Sequence, residues 1–167
     1  VMNTTLWEGG FDPDRPARNM DWYAASAFAL ETNSWNGENL VRLPSEVEWE
    51  CASRASTESR WSFGNSQAEL ADHAWYETNS GGVPSKVGQK LPNQWGAFDM
   101  PGNVQEWTLS SHDAYPPNVF TTFEDGFLLE EPATPVARGG SYASAGNDTR
   151  AAARKYAGRS SRANAIG

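Results

Sequence analysis

Residues 93–107 read NQWGAFDMPGNVQEW. The run holds two tryptophans, two glycines, a proline, two asparagines and the carboxylates of Asp99 and Glu106. It shows neither the 3.6-residue period of an amphipathic helix nor the alternation of a half-buried strand. Glycine and asparagine supply unusual backbone angles and proline stiffens a turn, so this is a tightly turned loop whose backbone approaches something closely.

The rest of the chain shares that character. Its 167 residues fit one domain able to bury a real core. Hydrophobic residues make up only 38%, but eight of them are tryptophans and fifteen glycines accompany them. Large aromatics pinning irregular connections therefore replace Leu/Ile/Val runs. The net charge of −8 argues against nucleic acid or an anionic membrane as partner of the whole surface. The charge is uneven: residues 138–167 hold six of the thirteen Lys/Arg against one acid, Asp148. Pairing of these cations with acids elsewhere on the fold is the plain explanation; a basic ligand-facing patch is the other. The single cysteine, Cys51, permits no intramolecular disulfide. That fits a reducing, cytoplasmic-type compartment and leaves a surface or secreted location open. No apolar run reaches the ~20 residues of a membrane-spanning helix.

Residues 1–20 read as loop. Asp21 is an N-cap for a helix over WYAASAFALET, with Trp22, Ala25, Phe28 and Ala29 as its apolar face, ended by the Asn/Gly-rich residues 33–39. Residues 40–43 are extended. Ser45 and Glu48 form a capping box that opens a second helix, predicted to end near Ser56 and to bury Val47, Trp49, Cys51 and Ala52. Short strands are predicted at 83–87, 104–109 (Trp107 inward) and 136–142. Residues 110–135, with the acidic 124–131, read as a surface loop, and 143–167 as an ordered loop.

Three segments, in order along the chain, resemble the formylglycine-generating enzyme family, also called sulfatase-modifying factors. They are Arg42-Leu43-Pro44-Ser45-Glu46-Val47-Glu48-Trp49-Glu50; Ala74-Trp75-Tyr76 with Asn79-Ser80-Gly81, running through Val87-Gly88-Gln89-Lys90 into 93–107; and Arg138-Gly139-Gly140-Ser141-Tyr142. Arg15-Pro16 with Asp21-Trp22-Tyr23-Ala24-Ala25 is similar to a further family segment. The resemblance implies an α+β fold of the C-type-lectin-like kind, with two helices, short strands and many loops. It also implies a single domain over 1–167 that lacks N-terminal and extreme C-terminal family segments.

The resemblance carries site expectations. A structural calcium would be held by Asp99 and Glu106 side chains and the Gly102 and Val104 carbonyls, a hard-oxygen set suited to that ion. A second site would fall near Asp72, His73 and Ala74, where the match is poor. Enzymes of the family bind copper through two cysteines after the GGSY motif. Those positions are here Ser144 and Thr149, poor ligands for soft Cu(I), so no copper is expected. A related branch holds iron through three histidines; this chain has only His73 and His112, and no iron is expected. A serine nucleophile at Ser141 or Ser144 would need a base that the sequence does not indicate.

The segment ASAGNDTRAAARKYAGRSSRANAIG after Tyr142 is small and polar. It is similar to the variable region of diversity-generating-retroelement proteins built on this fold. The leading expectation is a non-catalytic module binding a protein or small molecule through Tyr142, Ser144, Asn147, Thr149, Lys155, Tyr156, Arg159, Arg162 and Asn164, with Trp61 or Trp75 at the rim. Arg150 and Arg154 are expected to be structural. The rival is a metal-dependent oxidoreductase of the formylglycine-generating type acting on a cysteine-containing substrate. A regulatory domain of a larger protein is a third reading.

Overall fold

A computed structural model describes residues 12–36, 41–112, 131–162 and 166. Expectations for residues 1–11, 37–40 and 113–130, which include most of the acidic segment, and for Asn164 lie outside them.

Helix α1, Trp22–Asn36, starts at Asp21, whose Oδ1 accepts the Ala24 N–H at 2.9 Å. It runs into the Asn-rich stretch that was expected to end it. Trp22, Ala25 and Ala29 face inward, but Phe28 is 56% exposed. Trp22 also donates its indole N–H to the Thr108 carbonyl. Helix α2, Glu46–Arg54, opens with the expected capping box and closes on Ala55 in the left-handed region. Arg42 pairs with Glu48 and holds its carboxyl down at about 2. After a 3-10 turn at Gln67–Glu69 comes a one-turn helix α3, Leu70–His73, which was not anticipated.

The sheet is small and antiparallel, in the order β1 (Glu106–Ser111), β2 (Pro135–Arg138), β3 (Lys155–Tyr156). Glu106 lies opposite Arg138 and Trp107 opposite Ala137, with an irregularity before Ser111 meets Pro135. Trp107 points inward as predicted, joining Trp22, Ala25, Leu109, Ala137 and Ile166 in one core cluster. A second cluster gathers Trp61, Leu70, Ala74 and Tyr76. Residues 83–87 form no strand; Val83 and Val87 are exposed on turns.

The α2 expectation needs correction. Val47 is 67% exposed and Cys51 is exposed, while Glu46, Trp49 and Ser53 are buried. An ion-pair network sets that rotation. The fully buried Arg138 reaches Glu46 at 2.6 Å and Glu50 at 2.5 Å, and Arg154 grips Glu46 at 2.6 and 2.8 Å. Arg138 also donates to the Ala151 carbonyl. Bringing Glu46 inward necessarily turns Val47 and Cys51 outward. Arg154 is thus structural, as expected; Arg150 donates to the Asn147 carbonyl and holds its own turn.

Removing one member of a buried pair leaves an uncompensated charge, at a cost of about 3–5 kcal/mol. Glu46→Ala is therefore expected to lower unfolding free energy by about that amount in urea denaturation. A loss under about 1 kcal/mol would mean that the network contributes no more than a surface pair.

Candidate functional site

The 93–107 block starts by docking on α2. Asn93 donates its side-chain N–H to the Ala52 carbonyl at 2.7 Å, near the helix C-terminus. Its Oδ1 accepts the Trp95 and Ala97 N–H groups, each at 3.0 Å, folding the loop around itself. Asp99 (φ 56°) and Asn103 (φ 58°) then take left-handed backbone, flanking Gly102 (φ 84°). Gly102 is required by contact as well: a Cβ there would sit 2.2 Å from the Trp75 carbonyl oxygen.

Asn103, which the sequence reading passed over, is the centre of the block. It is 1% exposed. Its N–H donates to the Trp75 carbonyl at 2.8 Å, and its carbonyl accepts the Tyr142 N–H at 2.7 Å. Its side chain accepts the Ser85 N–H and donates to the Ser85 carbonyl. The signal was an asparagine directly after a turn glycine, a pattern that suits left-handed backbone.

A pocket of about 350 Å³ opens beside it, walled by Pro16, Val87 and Phe98 and bearing Asp99, Val104 and Glu106. Three of the four expected calcium ligands therefore share one pocket, while Gly102 is not among its lining residues. Asp99 Oδ2 accepts the Gly88 N–H at 2.7 Å; its Oδ1 is buried with no hydrogen-bond partner. Glu106 accepts the Trp49 indole N–H at 2.6 Å. Desolvation raises the pKa of Asp99, against the lowering effect of the Gly88 N–H. Glu106 is half-buried and lines the pocket. Desolvation chiefly raises its pKa, Asp99 adds to the rise and Trp49 opposes it. Two such carboxylates and an unpartnered buried oxygen suit a hard cation. Among the described residues no cluster of three or more Asp, Glu, His or Cys occurs, so further donors would be carbonyls or water.

The second calcium position differs. His73 stacks on Phe63 at 4.2 Å, Ala74 is fully buried, and Asp72 accepts the Leu91 N–H through its backbone. His112 packs against Tyr156 at 4.0 Å.

At Ser144 and Thr149, where the resemblance led thiols to be looked for, both hydroxyls are engaged. Ser144 Oγ accepts the Ser141 N–H at 3.0 Å and lies 3.1 Å from Ser141 Oγ. Thr149 donates to the Gly146 carbonyl at 2.8 Å and accepts the Trp61 indole N–H at 3.1 Å.

The expected ligand-binding residues divide. Asn147, Lys155, Tyr156 and Arg162 are exposed, and Tyr142, Ser144 and Arg159 half-buried. Thr149 is 1% exposed and belongs to the interior, a correction that follows from its bond to Trp61. Trp61 is itself buried and stacked on Phe63, so it forms no rim. Trp75 is half-buried beneath the Lys90 ammonium. Several cations pair with acids: Arg159 with Glu131, Arg162 with Asp21 at 2.9 Å, and Lys155 with Asp148 at 3.6 Å. The plain explanation of the basic C-terminal segment is thus the one observed at these residues. Between them Ala143, Ala145, Ala152, Gly158, Ser160 and Ser161 are exposed.

Residues 8–167 match the family described as "Sulfatase-modifying factor enzyme 1-like domain". A formylglycine-generating enzyme of Thermomonospora curvata is 30% identical over 136 residues, covering 74% of this chain and 39% of that protein. The chain thus spans about two-fifths of that curated relative's length. Among solved structures, Treponema denticola variable protein 1 superposes with a TM-score of 0.78 at 26% identity, covering 99% of this chain and 74% of that one. PvdO from Pseudomonas aeruginosa gives a TM-score of 0.78 at 29% identity, covering 93% and 61%. The α+β fold expected from the sequence is the fold of these proteins.

Because both pocket carboxyls are raised in the folded chain, their charges cost stability at pH values above their folded pKa. The penalty fades as pH falls and is gone below the unfolded values. In chelator at pH 7, Asp99→Asn is expected to raise the melting temperature, since it removes one charge and keeps the acceptor for Gly88. The gain should vanish near pH 3.8, the ordinary aspartate value. A variant less stable than the parent in chelator at pH 7 would contradict the electrostatic reading.

Proposed function

The chain belongs to the sulfatase-modifying factor enzyme 1-like family, and we propose that within it the chain is a non-catalytic binding module. One observation carries this reading. Where the resembled enzymes hold copper between two thiols, this chain has Ser144 and Thr149, and Thr149 is buried with its hydroxyl committed to Trp61 and Gly146. A hydroxyl has neither the softness nor the acidity that Cu(I) ligation needs.

The binding surface is residues 142–162. Its frame is held from beneath by Asn103, Arg138 and Thr149, and its exposed positions are mostly small or polar. Side chains there can change without disturbing packing, which suits a scaffold with an interchangeable face. The likeness to Treponema denticola variable protein 1 supports a variable protein of the diversity-generating type. Tyr156, 60% exposed, offers a large amphipathic contact at low entropic cost.

Calcium fits the Asp99/Glu106 pocket as a structural ion. Asp99 and Glu106 would supply charge, and Val104, which also lines the pocket, a carbonyl; the Gly102 carbonyl completes the set that the family resemblance implies. The ion wants about six to eight oxygens, so water completes the shell. Its contribution is to offset the repulsion of two desolvated carboxylates and to order the turn.

The test has two arms. Purified protein is assayed for bound copper and iron and for oxygen consumption with a cysteine-containing sulfatase peptide; neither metal and no turnover are expected. Bound copper or iron together with turnover would overturn the proposal in favour of the oxidoreductase reading, to which the 30% identity with a formylglycine-generating enzyme lends weight. In the second arm Ala143, Asn147, Ala152, Lys155 and Tyr156 are randomised together. Surface changes away from special features cost within about 0.5 kcal/mol each, so most members should fold. General unfolding of that library would contradict an interchangeable face.

A further inference from the structure

The pocket and the proposed binding segment meet at one side chain. Trp49 donates its indole N–H to Glu106 at 2.6 Å. The same ring packs against Gly139, where an added Cβ would lie 3.2 Å from Trp49 Cζ2. It also lies under the Arg138 guanidinium, 5.2 Å from the ring centroid. Arg138 in turn holds the Ala151 carbonyl, inside the 142–162 segment, together with Glu46, which anchors Arg154. The sequence placed Trp49 only as a core residue of α2, a role that its 2% exposure satisfies but that does not account for the bond to Glu106.

We infer that Trp49 is a positioning residue that couples cation occupancy of the Asp99/Glu106 pocket to the order of the 140–151 segment. The inference rests on the calcium reading of that pocket. A cation fixes the Glu106 carboxylate, and the carboxylate fixes the indole through a charge-assisted hydrogen bond. The indole then sets the place of Gly139 and Arg138, from which the binding segment departs. A second path runs parallel: Gly102 donates to the Gly139 carbonyl at 2.8 Å, and Asn103 accepts from Tyr142. The binding face is therefore best ordered when the pocket is filled.

The test uses the full chain, stripped with chelator and titrated with calcium. Calcium affinity is read by calorimetry, the Trp49 indole N–H by nitrogen–proton NMR, and the Tyr142 and Ala151 amides by hydrogen exchange. In the parent, calcium is expected to shift the indole resonance and to slow exchange at both amides by about tenfold, within the usual range of coupling between two sites. Trp49→Phe keeps a ring beside Gly139 and Arg138 and removes the donor. It is expected to bind calcium about tenfold more weakly, as outer-shell losses usually do, and to lose the calcium-dependent protection.

Each outcome decides. If the parent binds no calcium, the calcium reading and the coupling both fall. If it binds calcium while the indole resonance and the two amides stay unmoved, the pocket reading stands and the coupling is overturned. If Trp49→Phe folds and keeps both affinity and protection, Trp49 is not the coupling residue. Should that variant fail to fold, the parent's indole shift and amide protection decide alone.

Discussion

The interaction on which the structure depends is the set of hydrogen bonds made by Asn103. Most of the described residues lie outside helices and strands, so ladders alone cannot hold them together. Buried backbone groups must nevertheless be paired. Asn103 does this for three loops at once, binding Trp75, Ser85 and Tyr142 from one buried position. Its left-handed backbone aims the main-chain groups in directions a helical or extended residue could not reach. Gly102 lets the neighbouring backbone close on Trp75. The 93–107 block is therefore a clamp first, and the pocket is a consequence of its curvature.

The second organising feature is ionic. Glu46, Arg138 and Arg154 join α2, β2 and the C-terminal segment through buried charge. A buried pair seldom adds net stability over an apolar equivalent, because desolvation offsets the attraction. What it does here is fix orientation: guanidinium forks have defined directions, and Glu46 must face them. Exposure of Val47 and Cys51 follows from that demand. The segment after Gly140 is tied to this frame through Arg138 and Arg154, and to α1 through Trp22, whose N–H donates to the Arg159 carbonyl, and through Asp21.

Features with a local cause were legible in the sequence. The Ser45/Glu48 capping box, the Asp21 cap and the turn at 93–107 all depend on near neighbours, and each has the expected form. Asp99 and Glu106 were paired by the family resemblance, and both line one pocket. Features with a distant cause were not legible. Hydropathy put Val47 and Cys51 inside, but an arginine some ninety residues away turned the helix. Thr149 sits in a small, polar run that gives no sign of burial; its partner is Trp61, 88 residues earlier. Asn103 was overlooked because an asparagine within a turn is usually explained by the turn itself.

Asn103 is the keystone of a loop-built fold, and Asn103→Ala tests that role most directly. Alanine would leave the Ser85 N–H and carbonyl, both part-buried, without these partners, at about 1 kcal/mol each, the low end for an unsatisfied group. It would also have to adopt left-handed backbone, at a further cost of about 1 kcal/mol. The measurement is unfolding free energy by urea titration. A loss of at least about 3 kcal/mol, or a chain that no longer folds, is the predicted result. A loss under about 1 kcal/mol, the net value of an ordinary hydrogen bond, would show that the loops are held elsewhere and would contradict the account.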